Sequence, residues 1–280
     1  MRETNLDTWN QPDVASHYSA LNYLTACERL LFGEYLSNGM SILDLGVGGG
    51  RTTPHLSSLA HRYVGVDYAT EMIAACRKKF PALEFEVVDA ADLSRFAPSS
   101  FDAVVMAYNG IDNLAPDDSR LSAWREMHRV LKPNGILIFS SHNVRSILVR
   151  PSWNPERMAS AAGQFVRVDS FFYRPLLGVL TAMRVVIAAF QSIVKSAARV
   201  AHRVPKRAFW RGEGYLLDSS HGGATIHHAT PEKVEQEVTR YGFRLLRMLG
   251  DDYPLTGHRY VTDWYYYVFS KVDGRNGAAL

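Results

Sequence analysis

Asp44-Leu45-Gly46-Val47-Gly48-Gly49-Gly50 follows directly on the apolar run Ser41-Ile42-Leu43. With a helical segment after it (about Thr53–Ala60), the stretch reads as a strand, a tight turn and a helix. Glycine at such a turn permits positive φ and lets a ligand come close to the backbone. The spacing departs from the dinucleotide fingerprint GxGxxG, because Arg51 stands where the third glycine belongs. The loop also lacks the Lys-Ser/Thr pair of a phosphate-binding P-loop.

Outward from this loop the pattern alternates. A helix is expected over about Val14–Leu36, with Ala20, Leu21, Leu24, Leu30 and Leu31 at helical spacing. Strands are expected at Tyr63–Asp67, Leu83–Val88, Phe101–Ala107 and Ile136–Ser140, and helices at about Glu71–Lys79 and Ser119–Leu131. Strands separated by helices form a parallel, doubly wound sheet. Beyond His142 the alternation stops, and residues 144–229 show no evident strand. It resumes at Thr230-Pro231, a helix start with proline at its first position, followed by strands over Phe243–Leu249 and Tyr260–Ser270. The expected fold is α/β: a doubly wound, mostly parallel seven-stranded sheet with a helical insertion between strands five and six. Residues 1–143 would form the core, 144–229 a basic insertion covering the substrate, and 230–280 the helix and strands that complete the sheet.

The chain has 280 residues, 47% hydrophobic and 21% charged, with a mean hydropathy of -0.13, values that exclude a wholly disordered protein. The net charge of +3 averages two unlike parts. Arg150–Arg211 carries eleven Lys/Arg against two acids, a local +9, and the remainder carries −6. Within it Arg184–Val204 reads as an amphipathic helix, with Arg184, Lys195, Arg199 and Arg203 opposite Val186, Phe190, Val194 and Val200. Three readings stay open: a lid packed on the sheet, a helix lying on an anionic membrane surface, or a surface for a polyanion. Arg184 interrupts the longest apolar run, which argues against a spanning helix. No RNA-binding module is recognisable, so nucleic acid is not the expected partner. Cys27 and Cys76 belong to no CxxC or Cys/His cluster, so neither a metal site nor a disulfide framework is expected. With a polar start, Met1-Arg2-Glu3, the expected location is cytoplasmic, with contact at the inner membrane surface left open. The sequence does not reveal the oligomeric state.

Four features occur in order: the Asp44/Gly46/Gly48/Gly50 loop, Asp67 at the next strand end, Asp89 in Asp89-Ala90-Ala91-Asp92, and Val130-Leu-Lys-Pro-Asn-Gly135. Together they resemble the class I S-adenosylmethionine-dependent methyltransferases, over about Val14–Asn143 and again Thr230–Ser270. The resemblance implies S-adenosyl-L-methionine as cofactor. It places Asp44 near the methionine amino group, Asp67 on the ribose hydroxyls, and Tyr68 and Met72 beside the adenine. It sets Asp89 on the adenine amino group and the Ala90 NH on the ring. Tyr108 and Asn109 fall at the methionine end, and Tyr18 on the amino-terminal helix is placed to cover the cofactor.

Transfer from a sulfonium chiefly requires aligning a nucleophile and excluding water, with a base where the acceptor is a hydroxyl. Ala107-Tyr-Asn-Gly-Ile-Asp112 lacks the (D/N/S)PP(Y/F) of nucleic-acid amino methylation, and neither cysteine has the adjacent proline of cytosine C5 enzymes. The base candidates are His142, at the carboxyl end of strand five, and His221, with Asp218 as partner. Tyr-Asn-Gly-Ile-Asp, Ser-Ser-His-Asn and a later Asp-x-x-His are similar to a bacterial subgroup of these enzymes; each histidine also reads as a structural residue. The expected function is methyl transfer to a hydroxyl or amine of a small molecule or glycan. The alternatives are a cofactor-binding protein without transfer activity, a peripheral-membrane enzyme with a lipid-linked acceptor, and a nicotinamide dehydrogenase.

Overall fold

The computed structural model describes residues 2–146, 211–218, 224–254 and 262–272. Strand β1 (Met40–Leu45) sends Ile42 to one face of a sheet and Leu43 to the other, and both are fully buried. That double burial is why the strand reads as a continuous apolar run rather than an alternation. It pairs in parallel with β2 (Ala60–Asp67) on one side and β4 (Phe101–Met106) on the other. β3 (Glu84–Val87) lies outside β2, and β5 (Leu131–His142) outside β4, both parallel. Strands β8 (Phe243–Gly250) and β9 (Trp264–Lys271) complete a seven-stranded sheet of order β3-β2-β1-β4-β5-β9-β8, with β9 antiparallel to both neighbours.

Helices cover both faces. On one, Leu31 and Phe32 of α3 (Ala26–Tyr35), Leu56 of α4 (Thr53–Leu59) and Ile73 of α5 (Thr70–Lys79) pack with Ile42 and Val105. On the other, Trp124 and Met127 of α6 (Asp117–Val130) and Val234 and Val238 of α7 (Pro231–Thr239) pack with Leu43, Phe139 and Tyr267. Fully buried side chains of this size each contribute about 2–5 kcal/mol against truncation to alanine. No helix among the described residues is long and apolar enough to cross a membrane.

The structure departs from the sequence expectations at two places. The single helix over 14–36 is two, α2 (Pro12–Ala20) and α3, preceded by α1 (Arg2–Trp9). The break comes from a capping box: Thr25 Oγ1 accepts from Glu28 N at 3.1 Å while Glu28 Oε2 accepts from Thr25 N at 2.8 Å. Residues 144–229 are also not strand-free at their carboxyl end, where β6 (Glu213–Asp218) and β7 (Ala224–Ala229) pair antiparallel as a separate two-stranded sheet. Its histidines and glycine hide the alternation, and it is held by irregular partners. Asn5 of α1, fully buried, donates to Thr225 O and Asn113 O and accepts from Thr225 N, at 2.7–3.0 Å. The Arg184–Val204 segment lies outside the described residues.

Candidate active site

An open cleft runs along the carboxyl ends of β1, β2 and β4, the rim on which open α/β sheets bind ligands. Its floor is the glycine loop. Gly46 and Gly48 carry φ of +70° and +54° and both line the cleft, and a Cβ at Gly48 would meet nothing within 4 Å, so backbone conformation alone demands glycine there. Gly49 answers to a different constraint: a Cβ would stand 2.3 Å from Ser19 N and 2.4 Å from Tyr18 C, because the end of α2 rests directly on the loop. At Gly50 (φ +78°) a Cβ would stand 2.7 Å from Phe80 Cε2; this glycine supports the loop from the helix side and does not line the cleft.

Two buried carboxylates face the loop. Asp67 Oδ2 accepts from Gly48 N at 2.9 Å and Oδ1 from Ala69 N at 3.0 Å. Burial pushes its pKa up while those backbone donors pull it down. Tyr68 is a third backbone partner of this carboxylate, which still has acceptor capacity for a ligand hydroxyl. Asp44, 1% exposed, takes both of its donors on Oδ2: Tyr63 OH at 2.8 Å and Thr52 Oγ1 at 2.9 Å. Burial outweighs these bonds and pushes its pKa up to about 6. A cation arriving in the cleft would relieve that cost, as the amino group of an amino-acid ligand does.

The opposite wall is apolar. Trp9 and Tyr18 meet edge to face at 5.5 Å, and with Tyr68, Met72, Val88 and Ala90 they bound a slot beside Asp67. Asp89 does not line it; its Oδ1 accepts from Ala91 N at 2.8 Å, shaping the turn that presents Ala90. Asn113 lines the cleft with a buried Oδ1 that has no hydrogen-bond partner, an acceptor open to a donor from the ligand. Glycine floor, twin carboxylates and apolar slot together fit a nucleoside joined to an amino acid.

Arg51, met in the sequence only as the residue that spoils GxGxxG, is a buried element of this cleft. Its guanidinium pairs bidentately with Glu28 at 2.5 and 2.6 Å and donates to Tyr23 O at 2.9 Å. It also lies 4.8 Å over the Tyr108 ring. The same Glu28 closes the capping box of α3, so the helix start and the loop share one ion pair. The signal was present as Thr25-x-x-Glu28; the partner across 23 residues was not.

A second cluster adjoins the cleft at the ends of β4 and β5. Tyr108 and Asn109 follow β4 with φ of +58° and +62°, a left-handed pair that asparagine tolerates and that is uncommon for tyrosine. Asn109 N donates to Ser140 Oγ at 2.7 Å, and its Nδ2 stands 3.2 Å from His142 Nε2. Asp112, 1% exposed, accepts from His142 N at 2.7 Å, from Ser141 Oγ at 2.7 Å, and faces His142 Nδ1 at 2.8 Å. The carboxylate therefore fixes the Nδ1–H tautomer and leaves a lone pair on Nε2. His228 packs against the His142 ring, tilted by 30° with centroids 4.7 Å apart, and burial lowers its pKa to about 3; burial also lowers that of His227. Both stay neutral. Tyr108, pushed up to about 12 by burial and by Tyr23, keeps its proton.

Of the residues expected to meet the cofactor, Tyr18, Asp44, Gly46, Gly48, Asp67, Tyr68, Met72, Ala90 and Tyr108 line the cleft. Gly50, Asp89 and Asn109 stand behind it, and His142 joins it through Asn109. Asp218 ends β6 opposite Ala224, and His221 lies outside the described residues. Trp9, Glu28, Arg51 and Asp112 were not anticipated.

Residues 42–135 match the family described as "Methyltransferase domain". A demethylmenaquinone methyltransferase of Beutenbergia cavernae is 28% identical over 210 residues, covering 73% of this chain and 78% of that protein. Among solved structures, an S-adenosylmethionine-dependent methyltransferase from Methanosarcina mazei superposes with a TM-score of 0.56 at 18% identity, covering 90% of this chain and 99% of that one. The 1,6-didemethyltoxoflavin-N1-methyltransferase of Burkholderia thailandensis, solved with S-adenosylhomocysteine, gives a TM-score of 0.50 at 13% identity, covering 95% of this chain and 82% of that one.

Proposed function

The chain belongs to the class I S-adenosylmethionine-dependent methyltransferases, and on that premise we propose that it methylates a hydroxyl group of a small molecule or glycan with His142 as general base. The observation that carries this reading is the Asp112–His142 pair: a buried carboxylate 2.8 Å from Nδ1 of an imidazole one residue away from the cofactor cleft. When bound, the cofactor supplies a methyl group already activated by its sulfonium. Asp44 would hold its ammonium, Asp67 its ribose hydroxyls, and the slot of Trp9, Tyr68, Met72 and Ala90 its adenine. Asp112 orients His142 and stabilises the imidazolium that forms. His142 Nε2 takes the acceptor proton, and the Asn109 amide that now faces Nε2 gives way to the acceptor. Neutral His227 and His228 leave the charge of Asp112 to His142 alone. An amine acceptor uses the same cleft with less demand on the base. The B. cavernae relative acts, by its name, on demethylmenaquinone, which supports a small-molecule acceptor.

Incubation of the protein with methyl-labelled cofactor and a cell extract tests the proposal. A labelled small-molecule or glycan product is expected. Saturable cofactor binding with no labelled product would instead identify a binding protein without transfer activity. A second reading rests on the +9 between Arg150 and Arg211, which suits an acceptor held at an anionic membrane surface. It requires salt-sensitive pelleting with anionic liposomes, lost on charge reversal at Lys195, Arg199 and Arg203. No pelleting at low salt removes it.

A further inference from the structure

Among the described residues few large apolar side chains are exposed, and two of them flank Arg51 at the mouth of the cleft: Tyr23, 46% exposed, and Tyr108, 37% exposed. Tyr108 stands in a left-handed conformation just past β4, with Arg51 over its ring and part of the ring open to solvent. Trp264 meets Tyr108 edge to face at 6.4 Å and meets His142 in the same way at 6.2 Å. The rings of Tyr108, Trp264 and His142 therefore form one continuous aromatic surface that runs from the cleft to the proposed base.

We infer that the acceptor is a flat, hydroxylated aromatic ring, a phenol or naphthol, seated on Tyr108 and Trp264 with its hydroxyl at His142 Nε2. The inference rests on the base assignment above and narrows the acceptor class. Two independent features point the same way. Aromatic faces and edges select planar π-systems, and a partly exposed aromatic wall is a standing cost that such a ligand removes. The base adds a chemical argument. About 3.5 pK units separate an ordinary imidazole from a phenol, against about 9 for a water-like hydroxyl, so a single imidazole suits a phenolic proton far better. Asn109 Oδ1, on a residue 5% exposed, has no hydrogen-bond partner, and its amide lies against His142. A hydroxyl arriving at Nε2 comes within reach of that amide. In the reaction the O–H proton passes to Nε2 and the oxygen bonds to the methyl carbon. The methyl–sulfur bond breaks with its electron pair on sulfur, and the imidazolium returns the proton to solvent.

The test uses the full chain saturated with S-adenosylhomocysteine and 1-naphthol as probe, with methyl α-glucoside as the contrasting hydroxyl. Calorimetry should show saturable naphthol binding, weakened at least tenfold by Trp264→Leu and restored by Trp264→Phe, with S-adenosylhomocysteine affinity unchanged in both. Unchanged cofactor affinity guards against misfolding as the explanation. With methyl-labelled cofactor, label should appear on naphthol and not on glucoside. No saturable naphthol binding, equal binding by Trp264→Leu, or label on the glucoside overturns the inference. His142→Ala separates the two readings. If label transfer to naphthol survives it, the base assignment falls and the ring class stands; if naphthol neither binds nor reacts while another hydroxyl is methylated in a His142-dependent way, the reverse holds.

Discussion

Replacing Asp44 by asparagine should make the cofactor-free protein more stable and the cofactor complex weaker, and it should remove one specific pH dependence. Asp44 is 1% exposed, with a pKa pushed up from 3.8 to about 6 by burial. A folded-state pKa raised above the unfolded value means a stabilising contribution fully present below the unfolded pKa and lost as pH rises through about 6. Two pK units correspond to about 3 kcal/mol of destabilisation at neutral pH, so Asp44→Asn, which keeps an acceptor for Tyr63 and Thr52, should raise the melting temperature of the free protein at pH 7.5. The ligand's ammonium favours the ionised carboxyl, so binding must expel the proton once the pH falls below 6. The dissociation constant for S-adenosylhomocysteine then scales as one plus the protonated-to-ionised ratio, about 1.1 at pH 7 and about 11 at pH 5, a tenfold loss. Calorimetric titration across this range, with Asp44→Asn as control, reads the effect directly. The variant should bind about 10–100-fold more weakly at pH 7 and show a flat profile. A flat wild-type profile, or the same slope in both proteins, refutes the placement of the ammonium on Asp44.

Other expectations follow from single contacts. Asp67→Ala removes the acceptor proposed for the ribose hydroxyls and should weaken S-adenosylhomocysteine by about 1–3 kcal/mol; unchanged affinity would remove the ribose role. Gly49→Ala drives a methyl into the Tyr18–Ser19 backbone at 2.3–2.5 Å, so α2 must lift and cofactor dissociation should accelerate in stopped-flow measurements. Asn5→Ala leaves the Thr225 amide and two carbonyls without their partner and should lower stability by about 1–3 kcal/mol in urea titration, since α1 loses its tie to the hairpin.

The parallel part of the sheet was legible chiefly through β1 and β2, short apolar runs that reach the ligand rim at Asp44 and Asp67. Most residues that the family resemblance placed at the cofactor line the cleft, because they sit at or just beyond those strand ends. What the sequence concealed depends on contacts far apart in the chain. Asp112 looked like one residue in a strand-end turn, and only the return of β5 sets it against His142, 30 positions away. Arg51 and Glu28 read as unrelated charges until the loop and α3 meet. The β6–β7 pair escaped notice because its two short strands pair with each other and reach the main sheet only through the Asn143–Ala229 bridge, with Asn5 as a distant side-chain tie. Trp9 carried no pattern, since an isolated aromatic on a polar helix reads as surface until α1 folds over the cleft.

The most direct test of the central claim is single-turnover transfer from methyl-labelled cofactor to a hydroxylated acceptor by the wild-type chain and by Asp112→Asn, with S-adenosylhomocysteine affinity measured on the same samples. Asparagine can donate to Nδ1 and reverse the tautomer, which removes the Nε2 lone pair. The transfer rate should fall by about 10²–10⁴ in Asp112→Asn while cofactor affinity stays within twofold. An unchanged rate in Asp112→Asn would contradict it.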